Sequence, residues 1–295
     1  MPELPEVKTI AGDLNRKVKG DTIVDFWTDW KKSVKPLTKN GARAGMPLEK
    51  FIHDIKGRKI LNAYQIGKNL MIDLSGGKTL YIHLKMTGHL LVKSSKLKVK
   101  SGGKDYFSEK VNQYIHHIFY LKSGRTMEFS DLRKFGKIIL DDKEKIYKLN
   151  EIKSLGADVA SSEFTFEKFD KILDKKTTKI KLLLMDQTKL AGIGNIYASE
   201  ILYEAGVLPD RPAGNIKPGE RKKIFAAIQK IIQKAIKLRG TSDSDFRDTD
   251  GAPGHFQEVL QVYRRTGKKC PRCGTMVERI KMGQRGTFYC PVCQR

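Results

Sequence analysis

The sequence predicts an α+β protein in which an N-terminal antiparallel β-sandwich with flanking helices precedes a helical domain and a cysteine-containing hairpin. Three observations predict this class. Short apolar segments alternate with turn residues between about residues 21 and 140, helical periodicity dominates from Asp141 onward, and all four cysteines lie in residues 270–295. The chain has 295 residues, enough for about two domains.

The first predicted element is an amphipathic helix over residues 5–18. Pro5 suits its first turn, where the missing N–H costs no hydrogen bond. The apolar residues recur at helical spacing on one stripe, namely Val7, Ile10, Ala11, Leu14 and Val18. The start of the chain is therefore expected just ahead of a helix N-terminus.

The β region follows, because β-branched and aromatic residues lie there between turn sequences. The predicted strands are Thr22–Trp27, Lys59–Ile66, Asn69–Leu74, Thr79–Leu84, Tyr114–Leu121 and Arg125–Phe129. Their short length and regular spacing favour an antiparallel sandwich. The stretch Val92–Lys110 is rich in Lys, Ser and Gly and predicts a mobile basic loop.

Helices are predicted in the second half of the chain. They cover residues 142–153, Phe164–Asp174, Lys179–Asp186, Asn195–Glu204 and Pro218–Leu238. The last has the clearest apolar stripe, and Gly240 ends it. A Gly-, Asp- and Ser-rich loop then runs from Thr241 to Gly254.

The charge balance restricts the choice of partner. Lys and Arg number 57 and Asp and Glu 33, so the formal net charge is +24. Such a charge repels itself unless a polyanion neutralises it, which favours nucleic acid or an anionic membrane surface. No apolar run approaches about 18 residues, so a transmembrane span is excluded. Residues 1–8 lack a signal-peptide core, so secretion is not expected.

The cysteines form two C-x-x-C pairs separated by 16 residues: Cys270 with Cys273, and Cys290 with Cys293. Each pair can direct two thiolates at one ion, so the spacing predicts a closed tetrahedral site for one structural Zn²⁺. Two redox motifs or chance would not explain the paired spacing. Because no ligand position is left for water, this zinc is not expected to be catalytic.

The N-terminus offers a second candidate site. Removal of Met1 would expose the secondary amine of Pro2, and an α-amino group titrates near about 8, so part of it is nucleophilic at pH 7. Attack on a sugar aldehyde carbon would give a cationic iminium that acidifies the neighbouring C–H bond. Glu3 is an adjacent acid/base candidate. Taken alone, the same residues could be an extended entry into the helix.

A series of motifs runs in order from residue 2 to residue 294. They are Pro2-Glu-Leu-Pro-Glu-Val7, Gly67-Lys68, His83-Leu-Lys-Met-Thr-Gly88, Asp131-Leu-Arg-Lys-Phe-Gly136, Gly192-Ile-Gly-Asn-Ile-Tyr-Ala-Ser-Glu200, Gly254-His-Phe-Gln257 and the cysteine hairpin with Gln284-Arg285-Gly286. Each motif is weakly specific, but the ordered set resembles the formamidopyrimidine-DNA glycosylases, whose family also contains the endonuclease VIII-type glycosylases.

The resemblance implies a division into segments and a set of catalytic residues. The implied segments are a catalytic β-sandwich domain over 1–140, a linker over 141–153, a helix-two-turn-helix DNA-binding domain over 154–240, a lesion-capping loop over 241–256 and a zinc-finger hairpin over 257–295. Pro2 would form the Schiff base with C1′ of the damaged nucleotide, and Glu3 would be the general acid/base. Lys68 would contact phosphate and assist base loss, and Arg285 would clamp the phosphates around the lesion.

The remaining residues implied by the resemblance would bind DNA. Met86, Arg133 and Phe135 match the residues that the family inserts into the base stack after the damaged base has flipped out. Tyr114 and His116 occupy the family's His-x-His positions, where the first histidine contacts phosphate. Two further matches lie in the helical domain, namely Lys176 and Asn195, the latter opening a helix.

The resemblance implies base-excision repair of double-stranded DNA with damaged bases, by a bifunctional glycosylase and AP lyase that performs β,δ-elimination. The Pro-Glu-Leu-Pro-Glu start and the long loop at 241–256 favour oxidised purines, 8-oxoguanine and formamidopyrimidines. The alternatives are an endonuclease VIII-like enzyme for oxidised pyrimidines, a non-catalytic zinc-containing DNA binder, and a zinc-ribbon protein that binds RNA or ribosomes. We expect a monomer without membrane association that works in the bacterial cytoplasm, bound to the nucleoid.

Overall fold

Two four-stranded antiparallel sheets dominate the first half of the computed structural model, which describes residues 1–34, 47–94, 104–243 and 245–295. The elements of this half are α1 Leu4–Lys17, β1 Ile23–Thr28, α2 Leu48–Ile55, β2 Ile60–Ile66, β3 Asn69–Leu74, β4 Lys78–His83, β5 His89–Ser94, β6 Ile115–Leu121, β7 Arg125–Ser130, β8 Lys137–Asp142, α3 Lys143–Tyr147 and α4 Asn150–Lys153. One sheet has the strand order β1-β6-β7-β5 and the other β2-β3-β4-β8. The predicted antiparallel sandwich is confirmed.

The second half is mainly helical. Its elements are β9 Ala157–Asp158, α5 Phe166–Leu173, α6 Ile180–Met185, β10 Leu190–Ala191, α7 Asn195–Ala205, α8 Pro218–Lys237, β11 Glu278–Met282 and β12 Arg285–Tyr289. The short strands β9 and β10 pair in parallel, and β11 and β12 form an antiparallel hairpin. No helix in the described part of the chain is long and apolar enough to cross a membrane.

The described residues divide into two compact units. Unit 1 contains residues 1–153 and 238–255, and unit 2 contains residues 154–237 and 256–295. Residues 141–153, taken as a linker from the sequence, contribute the end of β8 and the helices α3 and α4 to unit 1. The domain boundaries given above stay a prediction.

One continuous core fills unit 1. Both sheets contribute to it, and α1 packs its apolar stripe on β2 and β3. Fully buried members include Ile10, Leu14, Leu70, Phe119 and Phe129. Truncating a leucine such as Leu14 to alanine would cost about 2–5 kcal/mol, because transfer and cavity terms add. This packing fixes α1, and with it the start of the chain, on the sandwich.

Several predictions about local structure were wrong. The sequence analysis missed β5, β8 and α2, and β5 includes Val92–Ser94, which had been placed in a loop. Of that predicted loop, residues 95–103 lie outside the described residues, and short 3-10 turns occupy Tyr106–Ser108 and Lys110–Gln113. The single helix predicted over 142–153 is divided into α3 and α4. The other predicted helices and strands are present within about two residues of their predicted ends.

Candidate functional site

The chain start is tied to the N-terminus of α1. Glu3 is the N-cap residue and is only 3% exposed, Pro2 is buried beside it, and Met1 is 42% exposed. The backbone N–H of Glu3 donates to Oε2 of Glu6 at 2.7 Å, the reciprocal half of a capping box. Oε1 of the same carboxylate accepts the N–H of Thr241 at 2.7 Å. The Glu6 carboxylate thus links Glu3, which is next to the predicted nucleophile Pro2, to Thr241, which follows Gly240.

Lys68 lies in a two-residue turn between β2 and β3, where Ile66 pairs with Asn69. The turn needs a left-handed residue, and Gly67 supplies it with φ +57°. Lys68 is only 7% exposed, although its terminal group carries a charge. The hairpin therefore holds this ammonium in a defined position on unit 1.

His83, at the end of β4, reports the electrostatics around Lys68. Burial, together with the nearby ammonium groups of Lys85, Lys137 and Lys68, lowers the pKa of His83 to about 3. The ring is therefore neutral at pH 7 and sits among three cations. Such a cluster suits an anionic ligand such as a phosphate. The sequence analysis included His83 in a motif but did not identify it as a site residue.

The predicted wedge residues are held together by Asp131. This buried carboxylate accepts the backbone N–H groups of Phe135 at 2.9 Å and Gly136 at 2.7 Å, and the hydroxyl of Thr87 also donates to it. The backbone N–H of Arg133 donates to the Thr87 hydroxyl at 3.1 Å, so the loop carrying Arg133 and Phe135 is fixed next to the Met86–Thr87 turn.

Two of the three predicted wedge residues, Arg133 and Phe135, are exposed to solvent. Phe135 is 51% exposed, and the Arg133 guanidinium stacks over its ring at 4.5 Å. Met86 is partly buried. This aromatic ring is exposed, and buried hydrogen bonds hold the loop that carries it. Such an arrangement suits insertion between bases. The structure thus brings together the three predicted wedge residues.

The two residues at the His-x-His positions have different surroundings. His116 is 9% exposed, and its Nδ1 lies 2.9 Å from Oδ1 of Asp29. Tyr114 is partly buried and precedes β6, and its carbonyl accepts the N–H of Asp131 at 2.9 Å. His116 is therefore held by a carboxylate, while Tyr114 supports the loop of the wedge through its backbone. A DNA contact from either side chain stays a prediction.

In unit 2, the four cysteine sulfurs all lie within 4.8 Å of one another. The Sγ atoms of Cys270 and Cys293 are 3.8 Å apart, and those of Cys273 and Cys290 are 3.5 Å apart. Tetrahedral coordination with Zn–S bonds of about 2.3 Å places sulfurs about 3.8 Å apart, so the cluster has the size that zinc requires. No other group of three or more His, Cys, Asp or Glu in the described residues has metal-site spacing.

Arg285 is placed by the turn of the hairpin. Gly283 and Gln284 both have positive φ, +51° and +59°, as a type I′ turn between β11 and β12 requires. Arg285 is the first residue of β12 and is exposed. The turn therefore presents its guanidinium at the tip of a hairpin whose base the cysteines hold.

Asn195 and Lys181 attach this hairpin to the helices of unit 2. The Nδ2 of Asn195 donates to the carbonyl of Gly286 at 3.0 Å. The fully buried Lys181 donates from Nζ to Oδ1 of Asn195 and to the hydroxyl of Thr287, each at 2.7 Å. Asn195, predicted to bind DNA, thus contacts the residue that follows Arg285. The sequence analysis missed Lys181, because a lysine in an amphipathic helix is usually solvent-exposed.

The structure therefore distributes the predicted residues over two units. Unit 1 carries Pro2, Glu3, Lys68, Met86, Tyr114, His116, Arg133 and Phe135, and unit 2 carries Lys176, Asn195, Arg285 and the four cysteines. Lys176 is exposed, beyond the end of α5. The two units thus carry a buried chain start, an exposed aromatic side chain, a cluster of cations and a hairpin with four clustered cysteines.

Three family models match successive parts of the chain. Residues 1–138 match the formamidopyrimidine-DNA glycosylase N-terminal domain, and residues 155–247 match the formamidopyrimidine-DNA glycosylase H2TH domain. Residues 267–295 match the zinc finger found in FPG and IleRS. With the sulfur spacing, this last match identifies the hairpin as the site of one structural zinc ion.

The similarity extends over the full length. A curated formamidopyrimidine-DNA glycosylase from Pelotomaculum thermopropionicum is 40% identical over 295 residues, which cover 100% of this chain and 99% of the relative. The complex of Lactococcus lactis Fpg with an abasic site containing DNA has a TM-score of 0.83 at 29% identity, covering 99% of each chain. A MutM complex with carbocyclic 8-oxo-G containing DNA has a TM-score of 0.81 at 29% identity, covering 100% of each chain. The chain belongs to the formamidopyrimidine-DNA glycosylase family.

Proposed function

We propose that this protein is a base-excision repair enzyme that removes oxidised purines from double-stranded DNA and then cleaves the strand at the resulting abasic site. The single observation that carries the proposal is that unit 1 joins a buried Pro2-Glu3 chain start and an exposed Arg133–Phe135 wedge. The names and bound DNA of its relatives support the same activity, with abasic-site and 8-oxo-G DNA in two of the complexes.

The wedge gives the enzyme access to the damaged nucleotide. A base inside a duplex is out of reach of a protein nucleophile, so it must leave the stack. Insertion of Phe135 and Met86 would fill the gap, and Arg133 would supply positive charge there. Lys68, His83 and Arg285 would hold the phosphates on either side, because ammonium, imidazole and guanidinium groups donate hydrogen bonds to phosphate oxygens.

The Pro2 nitrogen is the nucleophile, once Met1 has been removed. Its lone pair forms a bond to C1′ of the extruded nucleotide while the bond from C1′ to the base breaks. The base leaves with the proton that the nitrogen loses. Glu3 donates a proton to O4′ as the C1′–O4′ bond opens, which converts the adduct into an iminium ion at C1′.

The iminium then drives strand cleavage. It withdraws electrons from C2′, so a proton is lost there and the 3′ phosphate is expelled by β-elimination. A second proton loss expels the 5′ phosphate by δ-elimination. Water hydrolyses the remaining iminium and releases Pro2. The zinc ion takes part in none of these steps and stabilises the hairpin that carries Arg285.

The cellular setting follows from the relatives and the chemistry. Because the curated relatives are bacterial proteins, we infer that the enzyme works in the bacterial cytoplasm on nucleoid DNA. We also infer that it acts as a monomer.

The experiment compares strand cleavage of duplexes containing 8-oxoguanine, dihydrouracil or no lesion. We expect preferential cleavage at 8-oxoguanine. Glu3→Gln should bind the lesion duplex but cleave the strand about 100-fold more slowly or worse, since an amide cannot protonate O4′ to open the sugar ring. Glu144→Gln, the same change at an exposed position of unit 1, is the control and should be unaffected. Preference for dihydrouracil would support the oxidised-pyrimidine alternative, and binding without cleavage would support a DNA-binding protein.

A further inference from the structure

Arg239, two residues beyond the end of α8, has a left-handed backbone conformation. Its φ is +60°, in the left-handed region that residues with a Cβ rarely adopt, and Gly240 follows with φ +81°. A Cβ on Gly240 would lie 2.6 Å from Oε1 of Glu6, so glycine is required there. The left-handed conformation is common just after the end of a helix, and Arg239 adopts it at a place where glycine is usual.

Those interactions join two buried carboxylates. The Arg239 guanidinium meets Asp13 of α1 through both of its terminal nitrogens, with Nη2 at 2.6 Å from Oδ2 and Nη1 at 3.2 Å from Oδ1. Its Nε and Nη2 lie 2.8 Å and 2.6 Å from Oδ2 of Asp248. The side chains of Asp13 and Asp248 are 1% and 4% exposed. Arg239 is therefore a cation that joins two carboxylates taken out of water.

The same carboxylates organise the segment that follows. Asp248 accepts the backbone N–H groups of Asp250 at 2.9 Å and Ala252 at 3.0 Å, which fold the turn around Gly251. The hydroxyl of Thr249 donates to Oδ2 of Asp13 at 2.9 Å. The described part of segment 238–255 is thus fastened to Asp13, in the C-terminal half of α1, through Arg239 and Thr249.

The segment is also attached to the N-terminal end of α1, next to the proposed catalytic residues. Glu6 binds the N–H of Thr241 with one carboxylate oxygen and the N–H of Glu3 with the other, at 2.7 Å each. The segment is therefore linked to Glu3 through the Glu6 carboxylate, and the Arg239 ion pair with Asp13 holds the same segment to α1 about two helical turns further on.

We propose that Arg239 is a positioning residue that aligns segment 238–255 with the Pro2-Glu3 site and thereby promotes base excision over cleavage at abasic sites. This inference rests on the proposed function. A nucleotide that still carries its base fills more of the space beside Glu3 than an abasic sugar does. A displaced segment, linked to Glu3 through Glu6, therefore impairs removal of the base more than the later elimination, which involves only the sugar and its phosphates.

The test measures single-turnover rates of the full-length zinc-loaded protein on two duplexes, one with 8-oxoguanine and one with a natural abasic site. Arg239→Gly removes the guanidinium and relaxes the left-handed backbone, which favours folding. Arg239→Lys keeps a charge but loses the forked geometry. Arg16→Ala is the matched control, because Arg16 also pairs with Asp13 but its side chain is 65% exposed, and the loss of charge is the same.

For Arg239→Gly we expect excision of 8-oxoguanine to fall at least about tenfold, while abasic-site cleavage stays within about twofold of the parent protein. The 8-oxoguanine excision rate of Arg239→Lys should lie between those of Arg239→Gly and the parent protein. Arg16→Ala should match the parent protein in both rates. If both rates fall equally, or if neither rate falls, in variants with a cooperative thermal transition, the positioning role is overturned. A parent protein that cleaves neither duplex would instead refute the proposed function.

Discussion

Nζ of Lys181 donates to Oδ1 of Asn195 at 2.7 Å, and the two side chains together bind the first residues of β12. A lysine with no exposed surface is costly to bury, so these hydrogen bonds must compensate for the lost hydration of its ammonium. They hold the strand that begins with Arg285 against α6 and α7. The position of Arg285 thus depends on polar contacts as well as on the zinc ion.

Lys181→Met should weaken DNA binding through the displaced hairpin. It leaves Asn195 Oδ1 and the Thr287 hydroxyl without this donor, at a cost of about 1–3 kcal/mol per buried group. Fluorescence anisotropy with a lesion duplex gives the affinity, and thermal unfolding gives the stability. Lys179→Met removes the same charge from an exposed position two residues away and serves as the control. Equal losses for both variants would mean that only charge matters.

Cys290→Ser should release the zinc and abolish lesion binding, because the hairpin cannot keep its shape without the ion. Metal content by mass spectrometry and binding by anisotropy measure the two effects. Circular dichroism should show that the β-sandwich of unit 1 still folds. A zinc-free variant that binds and cuts damaged DNA at the parent rate would refute the role of the hairpin.

DNA affinity should depend steeply on salt. The net charge of +24, with Lys68 and Arg285 among its contributors, indicates that phosphate contacts dominate binding. If about six phosphates are neutralised, the affinity falls about a thousandfold between 50 and 200 mM salt. A titration of Kd against salt concentration gives the slope, and a nearly flat dependence contradicts this account.

Stability should fall as the pH drops below about 6.5, partly because of His89. Burial lowers its pKa from 6.5 to about 4, and the neutral ring bonds through Nε2 to Oδ1 of Asn112 at 2.9 Å. Since the folded pKa is depressed, this contribution is complete above pH 6.5 and is lost as the pH falls to 4. The loss amounts to about 3 kcal/mol.

The contribution of His89 is checked by measuring the free energy of unfolding in urea at several pH values for the parent protein and for His89→Gln. The variant should show a shallower loss of unfolding free energy between pH 6.5 and 4. His53→Gln, at an exposed side chain, should follow the parent curve. Identical pH slopes for the parent and His89→Gln would exclude the contribution of His89.

The sequence predicted the parts of the fold whose signal is local. The hairpin of β2 and β3 was predictable because Gly67 marks its turn, and α1 and α8 were predictable from their apolar stripes. The strand β8 was missed, because its short apolar run Ile138–Leu140 gives little alternation and is stabilised by pairing with β4, which is distant in sequence. Pairing partners of this kind cannot be read from a local pattern.

The residues of the candidate site divide in the same way, into those marked by a local motif and those that act through contacts distant in sequence. Pro2, Glu3, Lys68 and the cysteines could be selected from motifs, and the structure adds the hydrogen bond of Glu3 to Glu6 and the clustering of the four cysteine sulfurs. The roles of Asp131 and Arg239 depend on partners far away in sequence, such as Thr87 and Asp13. A charged residue in a helix or loop is normally solvated, so the local pattern around Asp131 or Arg239 does not predict that it organises a buried network.

The measurement that most directly tests the central claim is the mapping of the covalent adduct. The protein with Met1 removed is incubated with an 8-oxoguanine duplex, the iminium is reduced with borohydride, and the modified peptide is sequenced by mass spectrometry. The account predicts an adduct on the nitrogen of Pro2, and no adduct when Met1 is retained, because the Pro2 nitrogen is then an amide. An adduct on Lys68, or undiminished trapping with Met1 in place, would contradict it.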